Sequence, residues 1–168
     1  MKKGQIIYLS GVTSTGKTSI ARAIQAQADD FYYVVGSDIL EDMVPEKYRD
    51  GWTHMSVLFI DMYHFAALLS DRGKNVIIDT ALFEIPELPH HYQQMMQILG
   101  ENPLLTVNVA CPLEICRKRN LARGDRGEFQ SDEQDTIMDK TVTFDFEVRS
   151  DLRESAENAE LILARVRQ

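Results

Sequence analysis

Two cysteines, five prolines and a single tryptophan in 168 residues rule out several ways of building and using a protein. Cys111 and Cys116 have no second pair and no histidine at a metal-like spacing, which excludes a disulfide framework and a Cys/His zinc site. Both thiols are expected to be reduced, small and buried, with a catalytic thiol the weaker alternative. No repeat, low-complexity tract or Pro/Gly/Ser-rich linker occurs, and the 44% hydrophobic content is enough for one core, so a single domain over 1–168 is expected. The first apolar run, at 6–9, is too short for a membrane span or a secretion signal, and a cytoplasmic protein with no membrane partner is expected. Basic charge is also scarce. Against 26 Asp and Glu stand 18 Lys and Arg, and the net charge of −8 repels polyanions at long range. No nucleic-acid partner is therefore expected, and any phosphate site must be local.

What is present is alternation. Short apolar runs at 5–10, 32–36, 75–79 and 104–111, with a weaker one at 144–148, read as buried strands. Between them, 17–28 carries Ile20, Ala23, Ile24 and Ala28 on one helical face, and 53–71 reads as a longer helix, apolar nearly all round, stopped by Gly73. Pro112 suits the first turn of a helix running to about Ala122, and Asp151 with Glu154 suggests a capping box opening the last helix. Strands separated by helices imply an α/β fold, a three-layer, doubly wound and mostly parallel sheet of five strands whose ligands gather beyond the strands' carboxyl ends.

At the end of the first run, Gly11-Val12-Thr13-Ser14-Thr15-Gly16-Lys17-Thr18 matches G-x-x-x-x-G-K-[ST] in full, between a strand and a helix as its mechanism requires. Glycines let successive N–H groups turn into one concavity, and the helix adds its positive end. Lys17 supplies a point charge for the β- and γ-phosphates of ATP, and the Thr18 hydroxyl a ligand for Mg²⁺, with Ser19 grouped among the nucleotide-binding residues. Asp79 ends an apolar run, where it either helps hold Mg²⁺, through water, or caps the following turn. Asp38 follows another strand and is equally suited to accept a proton from an attacking hydroxyl or to cap a helix beginning at Ile39. Arg117, Arg119, Arg123 and Arg126 cluster against the global charge, as a mobile lid over about 117–131 or as a solvated helix face. His90-His91 reads as a surface loop, Asp61 with His64 as a polar stripe, and Met55, Met62, Met95 and Met96 as core filler.

With these residues in view, the chain resembles the chloramphenicol phosphotransferase-like family of P-loop kinases, relatives of shikimate and adenylylsulfate kinases. The resemblance rests on 11–18, on Gly36-Ser37-Asp38-Ile39-Leu40, on Val76-Ile77-Ile78-Asp79, on Arg119-Asn120-Leu121-Ala122-Arg123-Gly124-Asp125-Arg126 and on Phe144-Asp145-Phe146-Glu147-Val148. It implies a P-loop fold of the nucleoside-monophosphate-kinase type with an arginine lid. It also implies ATP and Mg²⁺ as cofactors and a small-molecule hydroxyl as acceptor. Asp38 becomes the general base, Arg123 and Arg126 become lid residues closing on phosphate, and Arg119 packs on adenine or contacts phosphate. Departures fall on the acceptor side: a short 45–52 segment, Thr80 in place of a second acid, and Arg149 in place of an acid. Rival readings are a kinase of a nucleotide-sugar or RNA end, and a nucleotide-dependent switch, although no N-K-x-D guanine motif occurs.

Overall fold

The computed structural model describes residues 2–167. Its strands are β1 (Ile6–Ser10), β2 (Tyr32–Gly36), β3 (Asn75–Thr80), β4 (Leu104–Ala110) and β5 (Phe146–Arg149). They form one sheet in the order β2-β3-β1-β4-β5, with all four pairings parallel. Every residue of the central strand β1 is buried, as expected for a parallel strand covered on both faces. The helices are α1 (Lys17–Gln27), α2 (Ser37–Glu41), α3 (Trp52–Asp71), α4 (His91–Leu99), α5 (Leu113–Arg123), α6 (Gln130–Ile137) and α7 (Ser155–Val166).

Side-chain alternation along β1 divides the core. Ile7 and Leu9 join Ile20 and Ile24 of α1 and Ala159 and Ile162 of α7 on one face. Ile6 and Tyr8 join Phe59, Met62 and Tyr63 of α3 and Met95 and Leu99 of α4 on the other. The sheet is thus the middle of three layers. Although α3 reads as apolar nearly all round, only one face packs, and Val57, Phe65 and Leu68 stay exposed. Asp61 and His64 face solvent as well. Among the described residues no helix is long and apolar enough to cross a membrane.

Several local expectations need correction. The last helix is capped by Glu154, whose side chain and that of Glu157 complete the capping box, while Asp151 pairs with Arg149 at 2.8 Å. The box therefore lies three residues beyond the position expected from Asp151 and Glu154. Asp38 sits inside the first turn of α2 and makes no side-chain cap bond. Cys116 is buried and its thiol is pushed up to about 12, first by desolvation, which leaves it inert; Cys111 is only half-buried.

The largest correction concerns His91. It opens α4 as a fully buried side chain, not a surface loop. Its Nδ1 lies 3.0 Å from the Phe83 carbonyl and its Nε2 2.6 Å from the Tyr63 hydroxyl. A carbonyl can only accept, so Nδ1 carries the proton and Nε2 accepts from Tyr63. Tyr63 then accepts from Tyr8 at 3.1 Å, and three buried polar groups satisfy one another. Burial pulls the His91 pKa from 6.5 down to about 4, against the opposing pull of the Phe83 carbonyl, Glu84 and Asp139. The unfolded chain therefore takes up a proton that the folded one refuses. Stability is fully present above about pH 6.5 and falls as pH drops toward 4, by roughly 1.4 kcal/mol per unit. Urea unfolding at pH 7 and pH 5 is expected to show the wild type losing about 2 kcal/mol more than His91→Gln. Equal losses would show that His91 is not the titrating group.

Candidate active site

The loop between β1 and α1 is shaped by the contacts of its glycines. A Cβ on Gly11 would lie 2.7 Å from the Val109 carbonyl and 2.8 Å from Thr15 Oγ1, so no larger residue fits. Gly16 has φ 99°, in the left-handed region that favours glycine, and α1 begins at the next residue. Ser14 is also left-handed, at φ 61°, a conformation costing a non-glycine residue roughly 1 kcal/mol. Lys17 folds back so that Nζ donates to the Gly11 and Val12 carbonyls at 2.7 and 2.9 Å. Desolvation lowers its pKa, and Asp79 and Asp38 oppose that shift.

Register brings the acids to this loop. Asp79 of β3 pairs with Leu9 on one side and Gly36 on the other, so it stands at the carboxyl edge beside both loops. Its Oδ2 accepts from the Thr18 hydroxyl at 2.6 Å. Two hard oxygen donors thus share one point at the start of α1, a set that fits Mg²⁺ completed by water and phosphate oxygens. Asp38, the second residue of α2, lines the same cleft as Asp79.

The four arginines of the basic segment separate. Arg117 forms a forked pair with Asp132 of α6, Nε lying 2.9 Å from Oδ2, and stacks over Phe129 at 5.5 Å; it ties α5 to α6. Arg119 turns beneath the loop, donating to the Ser14 and Thr15 carbonyls at 3.2 and 3.4 Å and to the Ser150 carbonyl at 2.9 Å. Arg123 pairs with Asp125, and Arg126 Nη2 reaches Asp38 Oδ2 at 3.2 Å. Residues 117–123 of the expected lid belong to α5, and 130 onward to α6. Only 124–129 is non-helical.

Between these groups lies a cleft of about 1310 Å³. Lys17, Thr18, Asp79, Arg119, Arg123 and Arg126 line one part of it, with Leu152 and Arg153 from the β5–α7 turn. Trp52, Met55, Phe59 and Phe83 line it too, Trp52 and Phe83 meeting edge-on with centroids 5.3 Å apart. Sequence reasoning missed Asn120, Ser131 and Gln134, all bonded to the loop. Only the position of Asn120 inside the basic string could have drawn attention to it. Among the described residues no group of three His, Cys, Asp or Glu side chains is placed to hold a metal on its own.

Comparison with known proteins agrees with this geometry. The bifunctional enzyme CysN/CysC of Rhodopirellula baltica is 29% identical over 137 residues, covering 77% of this chain, and the chain spans about a fifth (21%) of the length of that relative. Among solved structures, the APS kinase CysC of Mycobacterium tuberculosis, in complex with AMPPNP and APS, superposes with a TM-score of 0.78 at 18% identity, covering 100% of both chains. Shikimate kinase of Acinetobacter baumannii, in complex with shikimate, gives 0.66 at 14% identity, covering 98% of this chain and 94% of its own. At these identities the likeness speaks for the fold, that of P-loop kinases. A family model described as chloramphenicol phosphotransferase-like protein matches residues 4–167. The chain belongs to the chloramphenicol phosphotransferase-like family, a kinase-like P-loop phosphotransferase family.

Proposed function

We propose that the chain is one P-loop kinase domain that transfers the γ-phosphoryl group of ATP to a hydroxyl of a small molecule. The observation that carries this reading is the pairing of Asp38 with Arg126 across the mouth of a cleft whose other wall is the phosphate loop. Residues 11–19 cradle the phosphates, and Lys17 leaves its two carbonyl partners to bridge the β- and γ-oxygens. Thr18 and Asp79 would hold Mg²⁺, which would supply charge neutralisation on the phosphates. Asp38 accepts the proton of the attacking hydroxyl, and Arg123 and Arg126 stabilise the charge that develops on the transferred group.

The acceptor side supports an acceptor with an apolar or aromatic body. Trp52 and Met55 offer carbon surface, backed by the buried Phe59 and Phe83, while Asp38 and Glu41 disfavour an anion there. A hydroxylated antibiotic of the chloramphenicol type fits this description, and a nucleotide-sugar or RNA end fits it less well. The test is a panel of metabolites and antibiotics scored by ADP release, with the product identified by mass. A hydroxylated, uncharged compound is expected to raise ADP release and gain one phosphate. ATP turnover indifferent to every acceptor would instead favour a nucleotide-dependent switch.

A further inference from the structure

We propose that Asn120, Ser131 and Gln134 are positioning residues, a bracket that sets the shape of the phosphate loop at Thr13 and Ser14 and thereby its grip on a nucleotide's terminal phosphates. Both polar ends of the Thr13 residue are taken. Its N–H donates to Gln134 Oε1 at 2.6 Å, and its carbonyl accepts from Ser131 Oγ at 3.1 Å. Ser14, the left-handed residue, is held on two sides: its hydroxyl donates to Asn120 Oδ1 at 2.6 Å and its carbonyl accepts from Arg119 at 3.2 Å.

The bracket is self-consistent. Asn120 and Ser131 are fully buried, and both amide hydrogens of Asn120 are engaged, by Ser131 Oγ at 2.9 Å and the Glu128 carbonyl at 3.1 Å. With each of these groups satisfied the network favours this arrangement, because another would leave the buried Asn120 or Ser131 unpaired. The loop can therefore keep a non-glycine residue in the left-handed region without relaxing to another shape. The bracket also joins the loop to the segment that faces it. Asn120 precedes and Ser131 and Gln134 follow the non-helical stretch 124–129, so the piece bearing Arg126 is anchored at both ends on the loop beneath it.

The effect on nucleotide affinity rests on the proposed function, whereas the bracket itself is testable without it. Amide hydrogen exchange by NMR is compared in wild type, Gln134→Leu, Gln134→Glu and Asn120→Asp, alongside calorimetric titration with magnesium-AMPPNP. Gln134→Leu is expected to speed exchange at the Thr13 amide by about tenfold while β1 amides are unchanged, the effect of one lost hydrogen bond, and to weaken AMPPNP about three- to tenfold. Gln134→Glu retains the acceptor oxygen and keeps Thr13 protected. Asn120→Asp keeps the acceptor for Ser14 but loses both donors, and is expected to free the Thr13–Ser131 contact. Because Asn120 is buried its variant can fail to fold, and the half-buried Gln134 pair then decides. Thr13 exchange in Gln134→Leu equal to wild type overturns the bracket; faster exchange with unaltered AMPPNP affinity overturns its role in nucleotide binding. Wild-type protein that binds no AMPPNP sinks the kinase reading, while the exchange data still decide the bracket.

Discussion

Asp38→Ala is expected to lower phosphoryl transfer by about 10²–10⁴ while leaving nucleotide affinity nearly intact. The separation follows from where the side chain sits. Asp38 is three-quarters exposed, at 75%, and among the described residues its ion pair is with Arg126 alone, so its removal costs little stability; exposed pairs contribute about 0–1 kcal/mol. It makes no cap bond on which α2 depends. The loss should therefore fall on proton acceptance. Asp38→Asn keeps size and polarity without basicity, and should be as impaired as the alanine variant. The check is single-turnover transfer on the acceptor found by the screen, with thermal unfolding as control. Full transfer by either variant would remove Asp38 from the mechanism.

Arg126→Ala is expected to reduce the turnover rate by on the order of 10³, the scale at which a positioned guanidinium or oxyanion donor acts on a transferring phosphoryl group. Arg126 has capacity left for this work. Its Nη2 donates to Asp38, but its Nε has no hydrogen-bond partner among the described residues, the Asp125 carboxylate standing 3.9 Å away. A buried donor without a partner is costly, and a phosphate oxygen would satisfy it. Arg126→Lys should recover little, because an ammonium keeps the charge and loses the planar fork. Steady-state kinetics should show the loss mainly in kcat, with KM for ATP changed far less, since the interaction is made with charge that develops during transfer. A loss confined to KM would make Arg126 a nucleotide-binding residue only.

The arginine-bearing stretch shows where sequence reasoning stops. All four arginines fall within 117–126, and by pattern they are equivalent. The fold sends Arg117 to Asp132, Arg119 under the loop to Ser150, and Arg126 across the cleft to Asp38. Each destination depends on a partner 15, 31 or 88 residues away, which no local spacing encodes. The pair at 90–91 fails for the same reason. A histidine beside prolines in a polar stretch looks solvent-exposed, but Tyr8 and Tyr63 already place two hydroxyls in the core, and a buried imidazole satisfies one of them while bonding the Phe83 carbonyl. Helix α6 was missed because its short, polar sequence buries Ser131 alone and depends on packing against α5, whereas α4 does carry His91, Met95 and Leu99 at helical spacing, a pattern hidden by reading its first residues as a polar loop.

The sequence by itself determined the parallel α/β sheet and the loop of 11–18, because alternating buried strands and a contiguous glycine-lysine motif act over a few residues at a time. It also put Asp79 and Asp38 at strand ends. Tertiary structure alone decided which of those groups meet: Thr18 with Asp79, Asp38 with Arg126, and the peptide of Thr13 with Gln134 and Ser131. These contacts join segments far apart in the chain, and their geometry is fixed by strand register and helix packing rather than by any residue's own preference.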